Sequence, residues 1–187
     1  MRCFIEMNME PFVNNRGMTY EEECEKGNLT LGNSSLPAEV LMKKKSIKFS
    51  GVPFHFTYIE AGDNIELEGQ IIDLMNIKAY KFHFIGISSN GNLYDNVYFL
   101  KDGILVHKDR LFLSDTIATE PAFLDQCVLS LDYAHSVVGK NSNLKPNLWY
   151  YCIDFGEEVE FNQIQFEDNP FMHIFAMTIE EGAIVNK

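Results

Sequence analysis

Serine, aspartate and histidine occur together in two stretches of the chain, and these are the residue types that a hydrolase uses. Ser114 and Asp115 are adjacent, and His135 follows Tyr133 and Ala134. A nucleophilic hydroxyl needs a base within hydrogen-bond reach and a third group that orients the base. No Gly-x-Ser-x-Gly elbow surrounds Ser114. A hydrolase that uses Ser114, Asp115 and His135 is therefore one functional hypothesis, which we rank below the two described at the end of this subsection.

Three further histidines lie within predicted strands and are flanked by apolar residues. They are His55, His83 and His173. Successive strand residues point to opposite faces of a sheet, so a histidine between two buried neighbours is expected to face solvent. We favour this interpretation over a metal-binding trio.

The four cysteines are far apart in the sequence, at Cys3, Cys24, Cys127 and Cys152. Neither a Cys-x-x-Cys pair nor a histidine at metal-ligand spacing accompanies them, which argues against structural zinc and thioredoxin-like chemistry. The first residues do not form a secretory signal. We therefore expect a cytoplasmic protein with four free thiols, Cys127 and Cys152 being buried, and an extracellular one only as part of a longer secreted chain.

Two polar stretches combine amides with aromatic rings, as carbohydrate sites do. The first contains Asn90, Asn92 and Tyr94, and the second, residues 141–147, leads into Trp149. An exposed ring can stack on the apolar face of a sugar, while an amide both donates to and accepts from hydroxyls. Each stretch also has a simpler interpretation, an Asn-Gly turn in the first and a core tryptophan in the second.

The elements that must position these residues are short strands. Alternating or continuous apolar patterns predict them at residues 47–49, 52–58, 65–69, 70–74, 80–87, 97–100, 104–107, 110–114, 127–133, 148–155, 159–166 and 171–179. Asp102-Gly103 between two apolar runs predicts a hairpin, and Asn169-Pro170 predicts the last connecting turn. No long helical period separates the strands. The pattern is typical of an all-β protein, an antiparallel β-sandwich.

Composition and charge narrow the function further. Residues 1–45 are rich in turn-forming and acidic residues and are expected to wrap as an irregular segment on the sandwich of residues 46–187, giving a single domain. The formal net charge of −12 argues against nucleic-acid binding, because a phosphate backbone attracts Lys and Arg. No apolar run is long enough to cross a membrane.

Six collinear segments form a pattern that extends from Phe12 to Thr178. The first contains Asn14-Asn15-Arg16-Gly17 and the last contains Asp168-Asn169-Pro170. The segments cover residues 12–18, 36–39, 51–56, 63–70, 84–91 and 167–178. In this order they resemble a β-sandwich accessory domain attached to bacterial glycoside hydrolases of the fucosidase or mannosidase type. The resemblance implies a galactose-binding-like jelly roll and no catalytic residue in the domain itself.

The same resemblance implies a structural calcium ion, because such sandwiches often hold one where the two chain ends meet. Asn14, Asn15 and Glu39 offer oxygen ligands of the right type. The alternative, which we favour, is that residues 14–17 form a turn in which Gly17 takes a positive φ.

The leading hypothesis is a non-catalytic module that binds carbohydrate weakly at one loop-bearing edge. Tyr94 or Trp149 would be the stacking platform, and Asn90 and Asn92 would read the sugar hydroxyls. The second hypothesis is a protein-interaction subunit without sugar binding, which forms a homodimer through Trp149 or Phe171.

Overall fold

The computed structural model describes residues 3–182, and strands dominate them. The only helical elements in this part of the chain are α1 (Ala38–Leu41) and two 3-10 turns, Glu21–Lys26 and Met42–Lys44. The strands are β1 (Cys3–Glu6), β2 (Met18–Thr19), β3 (Leu36–Pro37), β4 (Ser46–Phe49), β5 (Val52–His55), β6 (Ile65–Glu68), β7 (Ile71–Ser88), β8 (Leu93–Lys101), β9 (Ile104–Leu113), β10 (Gln126–Ser130), β11 (Ala134–Ser136), β12 (Gly139–Asn141), β13 (Asn147–Phe166) and β14 (Asp168–Glu181).

Most strands belong to one large antiparallel sheet in the order β1-β14-β7-β13-β8-β9, with β10 also on β13 and β6 also on β14. β7 and β13 are long, with 18 and 20 residues, and they change neighbours along their length. The pairing register of β13 shifts between Asp154 and Val159, where Gly156 has a φ of +73°. Such a bulge bends a strand, and β13 has different partners on its two sides, β7 and β10 before it and β7 and β8 after it. The predicted all-β antiparallel sandwich is confirmed.

The predicted hairpin is also confirmed. β8 and β9 pair from Leu93 opposite Leu113 to Lys101 opposite Ile104. Both turn residues have positive φ angles, 52° at Asp102 and 78° at Gly103. Two-residue turns of this handedness match the twist of the paired strands, and Asp-Gly is among the pairs that adopt them most readily.

Both faces of the central strands are buried. Phe82, Phe84 and Trp149 belong to one core. Ile85 and Phe175 point into a second core. The N-terminal part of the chain completes that second core with the side chains of Met18, Leu29, Leu36, Ala38, Leu41, Val52, Phe54 and Phe56.

The N-terminal segment is therefore more than irregular wrapping. Within residues 1–45, strand β1 pairs with β14 at the edge of the large sheet, and β2 and β3 form a short parallel pair. Because this segment also supplies core residues, it and residues 46–182 bury apolar surface together. The two parts therefore share a hydrophobic core.

The second core corrects the prediction for the histidines. His83 and His173 were expected to face solvent, but their side chains are buried, at 2% and 1% exposure, while His55 is half-buried. The expectation of solvent exposure was wrong for His83 and His173 because the N-terminal segment covers the face to which alternation assigned them.

Three smaller expectations are also corrected. Asn169-Pro170 does not form a turn but lies inside β14, whose pairing with β6 is irregular between Asn169 and His173. Cys127 is exposed on the short strand β10, and Cys152 is half-buried rather than buried.

No helix within residues 3–182 is long and apolar enough to span a membrane.

Candidate functional site

The predicted hydrolase residues are not brought together. The Ser114 hydroxyl donates to Asp125 Oδ1 at 2.9 Å, and the Asp115 carboxylate accepts from the Gly91 and Ile117 amides. His135 lies in a different network, with its Nδ1 3.1 Å from Thr19 Oγ1. No hydrogen bond within residues 3–182 links any two of Ser114, Asp115 and His135. The arrangement therefore lacks the contacts that a catalytic triad needs.

The three predicted calcium ligands are also in separate networks. The Asn14 amide bonds the backbone of Glu66, donating to its carbonyl at 3.0 Å and accepting from its N–H at 2.8 Å. Asn15 lies beside Asn64, whereas the Glu39 carboxylate accepts from the Tyr133 hydroxyl at 2.6 Å. In the part of the chain that the structure describes, no group of three or more His, Cys, Asp or Glu residues could hold a metal ion.

The turn that was the alternative to calcium is held by a buried carboxylate. Asp63 accepts hydrogen bonds from the backbone N–H groups of Gly17 and Met18, at 2.9 and 3.0 Å. Burial raises the pKa of Asp63 to about 6, against the opposing effects of its hydrogen bonds and of Arg16. Gly17 is not among the glycines with positive φ; a Cβ there would lie 2.5 Å from Asn64 Nδ2. Close packing, and not the expected backbone conformation, explains this glycine.

Trp149 is not a stacking platform. Its side chain is 1% exposed and belongs to the same core as Phe82 and Phe84. Its indole Nε1–H donates to the Asp115 carbonyl at 3.0 Å. The ring therefore supports the loop that contains Asp115 from beneath. A buried indole with its donor already used cannot reach a ligand, so the predicted platform role was wrong.

The other predicted binding residues occupy different places. Asn92 accepts a hydrogen bond from the Asp115 amide at 2.8 Å, so it shapes a loop. Tyr94 is half-exposed on β8, opposite Phe112 on β9, and is not among the residues that line the pocket described next. Asn90 lines that pocket and has a φ of +75°, a left-handed backbone conformation common in turns. Only Asn90 of the four predicted residues contacts the cavity.

A pocket of about 590 Å³, which we call the loop-edge pocket, lies where loops from distant parts of the chain meet. Its walls come from residues 29–36, 90–91, 115–117, 134–136 and 141–146. Both polar stretches singled out in the sequence contribute, through Asn90 and Asn141. Volumes of this size are typical of small-molecule sites.

Sequence reasoning missed the apolar part of the pocket. Leu31 and Ile117 line it, although their side chains are 78% and 56% exposed. Leu144 and Pro146 add further apolar surface. The only signal in the sequence was Leu31 standing alone among turn-forming residues, which does not predict a pocket.

A buried polar network lies behind one wall. The Ser35 hydroxyl is 2.6 Å from Thr19 Oγ1, which in turn is 3.1 Å from His135 Nδ1. On its other side, His135 Nε2 is 3.2 Å from Glu39 Oε1, although this contact lacks hydrogen-bond geometry. Ser35 and His135 also exchange both backbone hydrogen bonds, at 3.0 and 2.8 Å. The network fixes the N-terminal wall of the pocket to β11.

A comparison with curated proteins finds no match. A family of β-sandwich domains, by contrast, matches nearly the whole sequence. The chain belongs to the AziU2-like β-sandwich domain family, whose match covers residues 5–183.

Proposed function

We propose that this domain is a non-catalytic binding module whose ligand, a carbohydrate-like molecule, occupies the pocket of about 590 Å³ at the loop-bearing edge. One observation carries the proposal, namely that the two amide-bearing stretches of the sequence meet at this cavity. The resemblance of residues 12–178 to accessory domains of glycoside hydrolases supports the same ligand class. No catalytic residue is part of the proposal.

The chemistry of the walls favours a neutral ligand with both hydroxyl groups and an apolar face. Asn90 offers an amide, and no hydrogen bond to another residue described by the structure uses it. Leu31 and Ile117 offer aliphatic surface in place of an aromatic ring. Asp115 lines the pocket, where its carboxylate accepts from the Gly91 and Ile117 amides, and no lysine or arginine is among the lining residues, which disfavours an anion there.

Calorimetric titration with methyl glycosides of galactose, mannose and fucose tests the proposal. We expect saturable binding at about millimolar concentration, about −4 kcal/mol in free energy. The variants Asn90→Ala and Ile117→Ala should each weaken it, since they remove one polar and one apolar contact. Tyr94→Ala is the matched control, because Tyr94 is exposed but lies outside the pocket. Silence toward all three sugars, or a loss caused by Tyr94→Ala alone, contradicts the proposal.

Self-association is the second candidate function. Trp149 cannot lie in a homodimer contact because it is buried, and Phe171 is half-buried. A different surface favours this candidate: Ile104, Leu105 and Val106 are exposed on β9, which ends the large sheet. Light scattering should then show a dimer that Leu105→Asp converts to a monomer. A wild-type monomer across concentrations refutes it.

We further infer a reducing compartment, the cytoplasm, for this protein. None of the four cysteines is in a disulfide bond. Free thiols of this kind persist where glutathione and thioredoxin keep them reduced.

A further inference from the structure

The outer face of the β8–β9 hairpin carries cations placed over aromatic rings. The guanidinium carbon of Arg110 lies 5.1 Å from the centre of the Tyr94 ring, and the Lys108 ammonium lies 4.9 Å from that of Tyr98. Phe112 continues the same face, since it pairs with Tyr94 across the two strands. We call these five residues the cation–ring face. Its rings hold both cations in defined positions through attraction to the π-electrons.

Neither cation forms an ion pair within residues 3–182; the Glu167 carboxylate lies beside this face but accepts from the Tyr98 hydroxyl and the Asn96 amide, at 2.6 and 2.8 Å. No carboxylate among residues 3–182 lies within ion-pair distance of Lys108 or Arg110. The nearest acid in sequence, Asp109, instead accepts a hydrogen bond from the Arg110 backbone at 2.7 Å and lies 4.0 Å from His107 Nε2. Lys108 and Arg110 are two residues apart on one strand, so their side chains leave the sheet about 7 Å apart on the same side. Two free positive groups at that spacing can hold one anionic group between them.

Two clefts meet at this face. The first, of about 480 Å³, is lined by Asn96, Lys108, Asp109, Arg110 and Phe112. The second, of about 400 Å³, is lined by Phe112, Ala122, Phe123, Leu124 and Tyr151. Phe112 belongs to both, so a cleft lined by two cations and one carboxylate, that of Asp109, shares a wall with an apolar cleft.

The apolar cleft is suited to a ring. The Phe112 ring centre lies 5.1 Å from that of Phe123 and 5.5 Å from that of Tyr151. Leu124, beside them, is 90% exposed. These rings pack on one another and line the cleft, so an aromatic ring that enters it would make tilted or edge-on contacts with them, which add to the free energy from burying apolar area. Exposed apolar groups next to unpaired cations are a combination that a ligand of matching chemistry would cover.

We propose that the cation–ring face binds a small organic anion that carries an aromatic ring, the ring in the apolar cleft and the anionic group between Arg110 and Lys108. Aryl carboxylates, aryl sulfates and aryl phosphates share this chemistry. This site is separate from the loop-edge pocket, which lacks a cation and an aromatic ring among its lining residues. The inference therefore goes beyond the proposed function and does not depend on it.

Titration of the full chain followed by amide NMR spectra tests the proposal with benzoate, phenyl sulfate and phenyl phosphate. We expect at least one of the three to bind saturably at about millimolar concentration and to shift the amide signals of Arg110 and Phe112. The comparison among the three identifies the anionic group. Phenol, which lacks the charge, and inorganic phosphate, which lacks the ring, should each bind about tenfold more weakly or not at all.

Arg110→Gln keeps the length and polarity of the side chain and removes its charge, and it should weaken the binding about tenfold. Lys48→Gln is the matched control, because it removes an exposed cation from β4, away from both clefts, and should leave binding unchanged. Asn90→Ala should also leave it unchanged, which separates this test from that of the carbohydrate pocket. The proposal is overturned if none of the three probes saturates, if Arg110→Gln binds like the wild type, or if inorganic phosphate binds as well as phenyl phosphate.

Discussion

His173 should make the stability of this protein depend on pH in a direction that one substitution reveals. The imidazole is buried, with Nδ1 3.2 Å from Asn15 Nδ2 and 3.1 Å from Asn64 Oδ1. Burial lowers the pKa of His173 from 6.5 to about 4, because the charged form loses its hydration. The perturbation is His173→Asn, which keeps a neutral amide close to the position of Nδ1.

The magnitude follows from linkage between protonation and folding. Above pH 6.5 the imidazole is neutral in the folded and the unfolded chain, and protonation costs nothing. As the pH falls from 6.5 to about 4, the His173 imidazole becomes protonated in the unfolded chain but stays neutral in the folded chain. One pKa unit is equivalent to about 1.4 kcal/mol, so the wild type loses about 3 kcal/mol across this window. The variant His173→Asn has no imidazole and therefore does not lose this stability at low pH. The difference in free energy of unfolding between wild type and variant should therefore be about 3 kcal/mol larger at pH 7 than at pH 4.

Urea unfolding at several pH values measures the difference. Trp149 is the one tryptophan of the chain and is buried, so its fluorescence reports loss of the core. Other titrating groups affect wild type and variant alike and cancel in the comparison. If the substitution destabilises the protein equally at pH 4 and pH 7, His173 is not held neutral by burial and the reasoning fails.

Three further predictions concern single side chains. Asp63→Asn should show the opposite pH dependence. Burial raises the pKa of Asp63 from 3.8 to about 6, so the free energy of unfolding of the wild type falls by about 3 kcal/mol as the pH rises through that window. In urea unfolding the substitution should therefore destabilise the protein less at pH 7 than at pH 4. Gly86→Ala should lower the free energy of unfolding by about 3 kcal/mol, because a Cβ would lie 2.5 Å from the His173 carbonyl oxygen. Gly32→Ala is the control: the nearest atom to its Cβ would be 3.7 Å away, so the melting temperature should change little. Equal effects of the two substitutions would contradict the packing argument. Ser114→Ala should lower the free energy of unfolding by about 2 kcal/mol, since the buried hydroxyl donates to Asp125 and accepts from the Ala122 amide at 2.7 Å. An unchanged midpoint in thermal or chemical unfolding would show that these hydrogen bonds contribute nothing to stability.

Much of the architecture can be predicted locally. The run from Tyr80 to Ile87 is a strand because its β-branched and aromatic residues favour extended backbone. Asp102-Gly103 makes a hairpin because these two residues adopt positive φ at low cost. Neither result depends on residues far away in the chain, so the sequence alone predicts an antiparallel all-β protein.

The candidate site could not be predicted in the same way, as Trp149 and Asn90 illustrate. An aromatic residue beside a polar loop can face either solvent or core, and only the packing of β13 between β7 and β10 puts Trp149 in the core. Asn90 lies on a pocket because residues 29–36 and 141–146 come from elsewhere in the chain to form the other walls. Local patterns contain no information about that meeting.

Most of the central strands, the hairpin turn and the net negative charge can be read from the amino-acid sequence, because they depend on local conformational preference or on composition. Which face of each strand is buried depends instead on contacts with distant parts of the chain. Alternation distinguishes the two faces of a strand but not what covers them, and here the N-terminal segment covers the face on which His83 and His173 were expected to meet water. Burial of that kind is a property of long-range packing, and the pKa of His173 and the shape of the pocket follow from it.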